Sequence, residues 1–193
     1  MDKHTQSAVL QFQTIMGADL CPAGTLIDDA PKPLVELNKR LIVEELQETY
    51  EAVRADNLTE IADGCADSLY VIAHAINQLG RCENIKRREA AQVALADAVE
   101  RTKLSLDREW AGKFFKDGDV DRNLAFAEIV VRGVASMYGI PLEAVFDEVH
   151  RSNMTKRWPD GTVRRDAGGK VMKPPQYEKP QVALVLQKHG VVE

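Results

Sequence analysis

Six acidic side chains stand at helical spacing on two neighbouring segments: Glu44, Glu45 and Glu48 on the first, Glu60, Asp63 and Asp67 on the second. Projected at ~100° per residue, Glu44, Glu48 and Glu51 share one stripe with Glu45 at its edge. Glu60, Asp63 and Asp67 share another through their i, i+3, i+7 spacing. Carboxylates gathered in this way repel one another and lose solvation on burial, so a stable arrangement needs positive charge among them. A divalent cation supplies it, and an all-oxygen donor set favours Mg²⁺ or Mn²⁺ over zinc. Magnesium also keeps waters and takes substrate phosphates as further ligands. A helical di-iron site is the competing chemistry, but it expects Glu-x-x-His pairs; the nearest match, Asp147-x-x-His150, lies on a different segment. For any one of these acids a solvated helix face is the plain alternative, and Glu60 alone reads as the glutamate of a capping box opened by Asn57. The whole set, on apolar-flanked stripes of consecutive helices, favours the metal reading.

These residues need helices to position them. A short helix over 6–16 leads into a loop to Pro33, broken by Pro22, Gly24 and Pro31. The first long helix is predicted from Leu34 to Ala55, and after Asp56-Asn57 a second runs to Gly80. If the two pack as an antiparallel hairpin, their acidic stripes face one another. A charged helix over 83–115, another over 121–138 and a last one from Pro141 through Arg151 complete an all-α antiparallel bundle. From Ser152 onward the pattern becomes a short non-helical tail, a wrap or lid whose removal should leave the helical body folded, with a small hairpin between Val163 and Met172.

The 193 residues fit a single domain with an elaborated arm. The net charge of −5 argues against nucleic-acid or membrane-surface partners, yet residues 151–180 hold eight Lys or Arg against three acids. Three scattered cysteines suggest neither a disulfide framework nor zinc, and no long apolar run is present, so a reducing cytoplasm fits. The 34–55 helix is apolar on two sectors. One is expected to face the second helix, and the other, Val35, Ile42, Val43, Leu46, Tyr50 and Val53, calls for later helices or a second subunit, with a homodimer preferred.

At the acidic stripes the sequence resembles the MazG-like all-α nucleoside triphosphate pyrophosphohydrolases, a superfamily with phosphoribosyl-ATP pyrophosphohydrolase and the dimeric dUTPases. Their EExxE and ExxD patterns stand here as Glu44-Glu45-Leu46-Gln47-Glu48 and Glu60-Ile61-Ala62-Asp63. The stretch Ala62 to Val71 and the stretch Glu148 to Lys156 resemble two further motifs of a MazG-like group. Phe12-Gln13 stands where that group more often has Phe-His, and His74 where relatives usually have glycine. Residues 81–123 look like an insertion.

The resemblance implies Mg²⁺, with Mn²⁺ as a substitute, held by Glu45, Glu48, Glu60 and Asp63, and Asp67 as a supporting group or a ligand of an additional ion. It implies Glu44 as general base. Asn153 and Lys156 match the motif expected to meet phosphates, and Gln13 falls in the base-recognition segment. Arg164, Lys170 and Lys173 of the basic tail are candidates to stabilise the leaving group, as is Arg165. The implied reaction is hydrolysis of a (d)NTP to the monophosphate and pyrophosphate in nucleotide-pool house-cleaning. A non-catalytic nucleotide- or partner-binding helical protein is the alternative, and retention of all four ligand carboxylates weighs against it. His74 is expected to serve helix packing or a contact with the insertion.

Overall fold

The computed structural model describes residues 1–21, 30–79 and 120–191, with the side chains of 120–122 excepted. The described residues form six helices. Helix α1 (Lys3–Ile15) starts at Asp2, whose carboxylate accepts the Thr5 N–H at 2.8 Å and the Thr5 hydroxyl at 2.9 Å. Helix α2 (Lys32–Arg54) begins two residues earlier than the sequence suggests, because Pro33 occupies the first turn, where its missing N–H costs nothing. Asp56, at φ 52, turns the chain sharply, and Asn57 Oδ1 then accepts the Glu60 N–H at 3.1 Å to open α3 (Leu58–Leu79). Helix α4 (Val120–Met137) follows, then a turn through Gly139 at φ 63, α5 (Leu142–Met154) and α6 (Val182–Lys188).

Helix α3 is the axis of the fold, and α1, α2, α4, α5 and α6 all pack on it. Its small residues allow this. Ala62, Ala66, Ala73 and Ala75 are fully buried, and a Cβ added at Gly64 would sit 2.7 Å from Thr49 Oγ1 on α2. The antiparallel register of α2 and α3 is fixed by two polar contacts at opposite ends, Thr49 Oγ1 to Ser68 Oγ (3.1 Å) and Asn38 Nδ2 to Gln78 Oε1 (2.8 Å).

Two expectations about the tail change. The tail is not an appendage, because Val182 and Leu186, one turn apart on α6, are each 3% exposed within the core. Ser152 and Asn153 are also buried, on the last turn of α5, so cutting the chain at 152 removes core and breaks a helix rather than trimming a lid. Ile42 and Leu46, on the face expected to meet later helices or a second subunit, are buried within the chain at 1% and 3%. Val35, Val43, Tyr50 and Val53 of that face are half-buried. Between Val163 and Met172 the expected hairpin is a short ladder: Arg165 bridges Val171, and Met172 N–H donates to Arg164 O at 2.8 Å. The expected 83–115 helix lies outside the described residues, as does the 81–123 insertion apart from its last four residues. No single helix among the described residues is long and apolar enough to cross a membrane.

Candidate functional site

A cleft of about 240 Å³ runs along α3. Asp67, Tyr70, Val71, His74 and Gln78 line it at i, i+3, i+4, i+7 and i+11, one stripe of a helix. Because α2 is antiparallel, Glu45 lies beside the Asp67 end and Leu41, Leu37 and Leu34 follow in step toward Gln78. Phe12 and Gly17 to Asp19 form a wall at the end of α1. The arm after α5 contributes Arg165 and Gly169 to Val171, and is pinned on both sides: Arg40 of α2 donates to Gly168 O at 2.7 Å, and Arg165 donates to Met16 O at 2.9 Å.

The Asp67 end is charged. Burial pushes the Glu45, Asp63 and Asp67 carboxyls up from their ordinary values, and mutual repulsion adds to it. Glu45 feels Asp67, Glu48 and Glu44, while Asp63, raised to about 7, feels Asp67, Glu60 and Glu48. All six sequence-predicted acids thus act on one region. Lys170 donates to Glu44 Oε1 at 2.7 Å; burial opposes its charge, but that bond and the neighbouring Glu45 and Glu48 outweigh it and raise its pKa. Burial lowers the Lys156 pKa, and the Asp67 charge opposes that shift. The Lys156 and Lys173 ammonium groups lie 6.0 and 5.0 Å from the centre of the Tyr177 ring, which keeps both beside the carboxylates.

Whether this donor set fits a metal ion can be tested on its own atoms. Among the described residues no three His, Cys, Asp or Glu side chains form a closed cage. The fit is to an open site: Asp63 Oδ1 is buried without a hydrogen-bond partner, and the carboxyls around it are destabilised as anions. Magnesium sites of one or two carboxylates completed by substrate phosphates have this character.

The structure brings Glu45, Asp67, Asn153, Lys156 and Lys170 to the cleft wall, with Glu44, Glu48, Asp63 and Lys173 adjoining them electrostatically. Glu60 is exposed at the start of α3. Two candidates lie elsewhere. Arg164 stacks on Trp158, 3.7 Å from the ring centre, and pairs with Asp160 at 3.2 Å on the outer face of the arm. Gln13 is fully buried behind the wall, where its Nε2 donates to His74 O at 3.0 Å and ties α1 to α3.

At the far end of the cleft α2 and α3 present amides in place of charges, and of this group the sequence singled out His74 alone. Asn38 Nδ2 donates to Leu34 O (2.9 Å) and Gln78 Oε1, Gln78 Nε2 donates to Asp19 O (2.6 Å), and Asn38 Oδ1 meets His74 Nδ1 (3.2 Å). The signal was two amides on apolar-flanked helix faces, which resembles ordinary surface polarity until α2 and α3 are paired. Tyr70 forms the floor, edge-on to Phe12 at 5.5 Å and bonded through its hydroxyl to His150 Nδ1 at 3.1 Å.

The family model for phosphoribosyl-ATP pyrophosphohydrolase matches residues 25–81, the segment carrying both acidic stripes. The chain is also similar to an uncharacterised protein of Acanthamoeba polyphaga mimivirus, 32% identical over 181 aligned residues that cover 77% of this chain and 69% of the viral one. No solved structure matches.

Proposed function

This chain belongs to the MazG-like helical superfamily, of pyrophosphohydrolase type, and from that premise we propose that it is a Mg²⁺-dependent enzyme converting a (d)NTP and water to the (d)NMP and pyrophosphate. The observation that carries the reading is one cleft with a carboxylate–lysine end that gives way to an apolar wall, which suit a triphosphate and a base respectively. Glu45, Glu48, Glu60 and Asp63, with Asp67 beside them, are the groups to hold the ion. Bound there, magnesium would neutralise triphosphate charge and acidify a water. Glu44, oriented by Lys170, takes the proton of the water that attacks the α-phosphorus. The bond to the β-phosphate oxygen breaks, and pyrophosphate leaves with its charge met by Lys156, Lys170 and Lys173. Asn153, buried where α5 meets the cleft, positions the phosphates.

The test is a panel of ribo- and deoxynucleoside triphosphates with Mg²⁺, the products separated by chromatography. Monophosphate and pyrophosphate in equal amounts support the reading; release of single phosphates overturns the cleavage at the α-phosphorus, and no turnover on any member overturns the enzyme and favours the nucleotide-binding alternative. The same reading includes a homodimer. Helix α2 packs chiefly on α3, and its half-buried Val35, Val43, Tyr50 and Val53 are the surface a second subunit would cover. Val43→Asp is expected to turn a dimer into a monomer in light scattering, whereas the same change at buried Leu46 unfolds the chain. A wild-type monomer at micromolar concentration defeats the assembly.

A further inference from the structure

The amide relay at the neutral end of the cleft fixes the tautomer of His74. A backbone carbonyl can only accept. Asp19 O therefore requires Gln78 to present Nε2 to it, which leaves Gln78 Oε1 facing Asn38. Asn38 must then turn its NH₂ toward Gln78 Oε1 and Leu34 O, both acceptors, which leaves Asn38 Oδ1 facing His74 Nδ1. Flipping Asn38 would set its oxygen against two acceptor oxygens, and flipping Gln78 would set oxygen against Asp19 O and NH₂ against the Asn38 NH₂. Nδ1 consequently carries the hydrogen, and Nε2 is a lone-pair acceptor with no protein partner among the described residues. Burial, aided by the Arg165 charge, holds the ring neutral, with its pKa down at about 4.

The place of this acceptor matters as much as its polarity. His74 lies seven residues beyond Asp67 on α3, a rise of roughly 10 Å along the cleft, and the wall between is Leu37, Leu41, Tyr70 and Val71. A nucleotide with its phosphates among the lysines lays its base on that apolar wall and points the base edge opposite the glycosidic bond toward His74. That edge bears the 4-substituent of a pyrimidine or the 6-substituent of a purine. We propose that His74 Nε2 is a specificity determinant that accepts a hydrogen bond from an exocyclic amine at that edge, so the cleft selects amino bases over their keto counterparts. A keto oxygen there would meet the lone pair and leave it unpaired. The inference rests on the nucleotide reading of the cleft, but not on catalysis.

Deaminated pairs confine the change to that edge: from dCMP to dUMP, or dAMP to dIMP, the amine becomes a keto oxygen and the adjoining ring nitrogen gains a hydrogen. Calorimetric titration of the wild-type chain is expected to show the amino member of at least one pair binding about tenfold more tightly. In His74→Phe, with thermal melting recorded beside it, that ratio should collapse toward one. Long-range ¹⁵N–¹H spectra of the wild type give an arm free of any variant: His74 should show a protonated Nδ1 and a pyridine-like Nε2. Equal or tighter binding of the keto members, which Arg165 as the reader would produce, overturns the inference, as does a protonated Nε2 or no binding by all four. Failure of the hydrolysis panel would leave these binding ratios measurable, so absence of catalysis and absence of base selection are told apart.

Discussion

The two ends of the cleft solve opposite problems with the same pair of helices. At the Asp67 end, α2 and α3 present anions to one another, leave Asp63 Oδ1 unpaired, and rely on lysines from the distant arm for compensation. At the Gln78 end the same helices present amides, and every donor of Asn38 and Gln78 that meets the backbone finds an acceptor. One end keeps a buried oxygen unpaired; the other has its amides already oriented by one another. Such division suits a site that must release a highly charged product yet read a neutral base, since pre-arranged hydrogen bonds give discrimination and destabilised charge gives dependence on the ligand.

The largest effect should come from neutralising the strained end. Asp63→Asn is expected to lower kcat at least 100-fold with Mg²⁺ present, while the chelated protein melts higher, by roughly 2–4 °C for each kcal/mol of repulsion relieved. Both are read from one preparation by coupled assay and calorimetry. Unchanged turnover, or a lower melting point at neutral pH, would show that Asp63 is an ordinary surface acid.

Next in size is the pH dependence of stability, for which the two ends have opposite signs. Asp63 titrates near 3.8 unfolded and near 7 folded, so the folded chain binds the extra proton between those values and loses stability as pH rises through them. His74 titrates near 6.5 unfolded and near 4 folded, so the unfolded chain binds the extra proton and stability is lost as pH falls through that window. Each slope approaches about 1.4 kcal/mol per pH unit per proton. In urea unfolding of the metal-free protein between pH 4.5 and 6, Asp63→Asn should make stability rise more steeply with pH, and His74→Phe should make it rise less or fall. Two variants that shift the slope the same way would break the contrast.

The charged end was legible in the sequence because acids at i, i+3, i+7 on consecutive helices survive any small error in helix boundaries. What periodicity could not separate is Glu45 from Glu44: neighbours ~100° apart differ in burial only once α3 is in place. The neutral end was illegible for a stronger reason. Its relay runs from a loop carbonyl through Gln78 on α3 to Asn38 on α2 and back to His74, so no single segment contains it. Helix α6 escaped notice because seven residues show too little of a period, and its anchors, Val182 and Leu186, make a single i, i+4 pair.

The smallest effect is expected at Arg164, and its contrast with Arg165 sharpens where the cleft ends. The arm is extended here, with Arg165 bridging Val171, and successive side chains on an extended strand point to opposite faces. Arg165 therefore turns inward to Met16 O and lines the cleft near His74, while Arg164 turns outward onto Trp158 and Asp160. A one-residue change of register would exchange them, and the sequence Arg164-Arg165 gives no means of choosing. Arg164→Ala removes an exposed cation–π contact and a solvated surface ion pair, both of which water largely replaces. It should leave kcat and KM within twofold of wild type. Arg165→Ala unpins the arm from α1 and removes a guanidinium from the cleft wall, so KM should rise several-fold more than in Arg164→Ala. If steady-state kinetics instead show the larger loss at Arg164, the arm docks in the other register and the boundary between the charged and neutral ends must be redrawn.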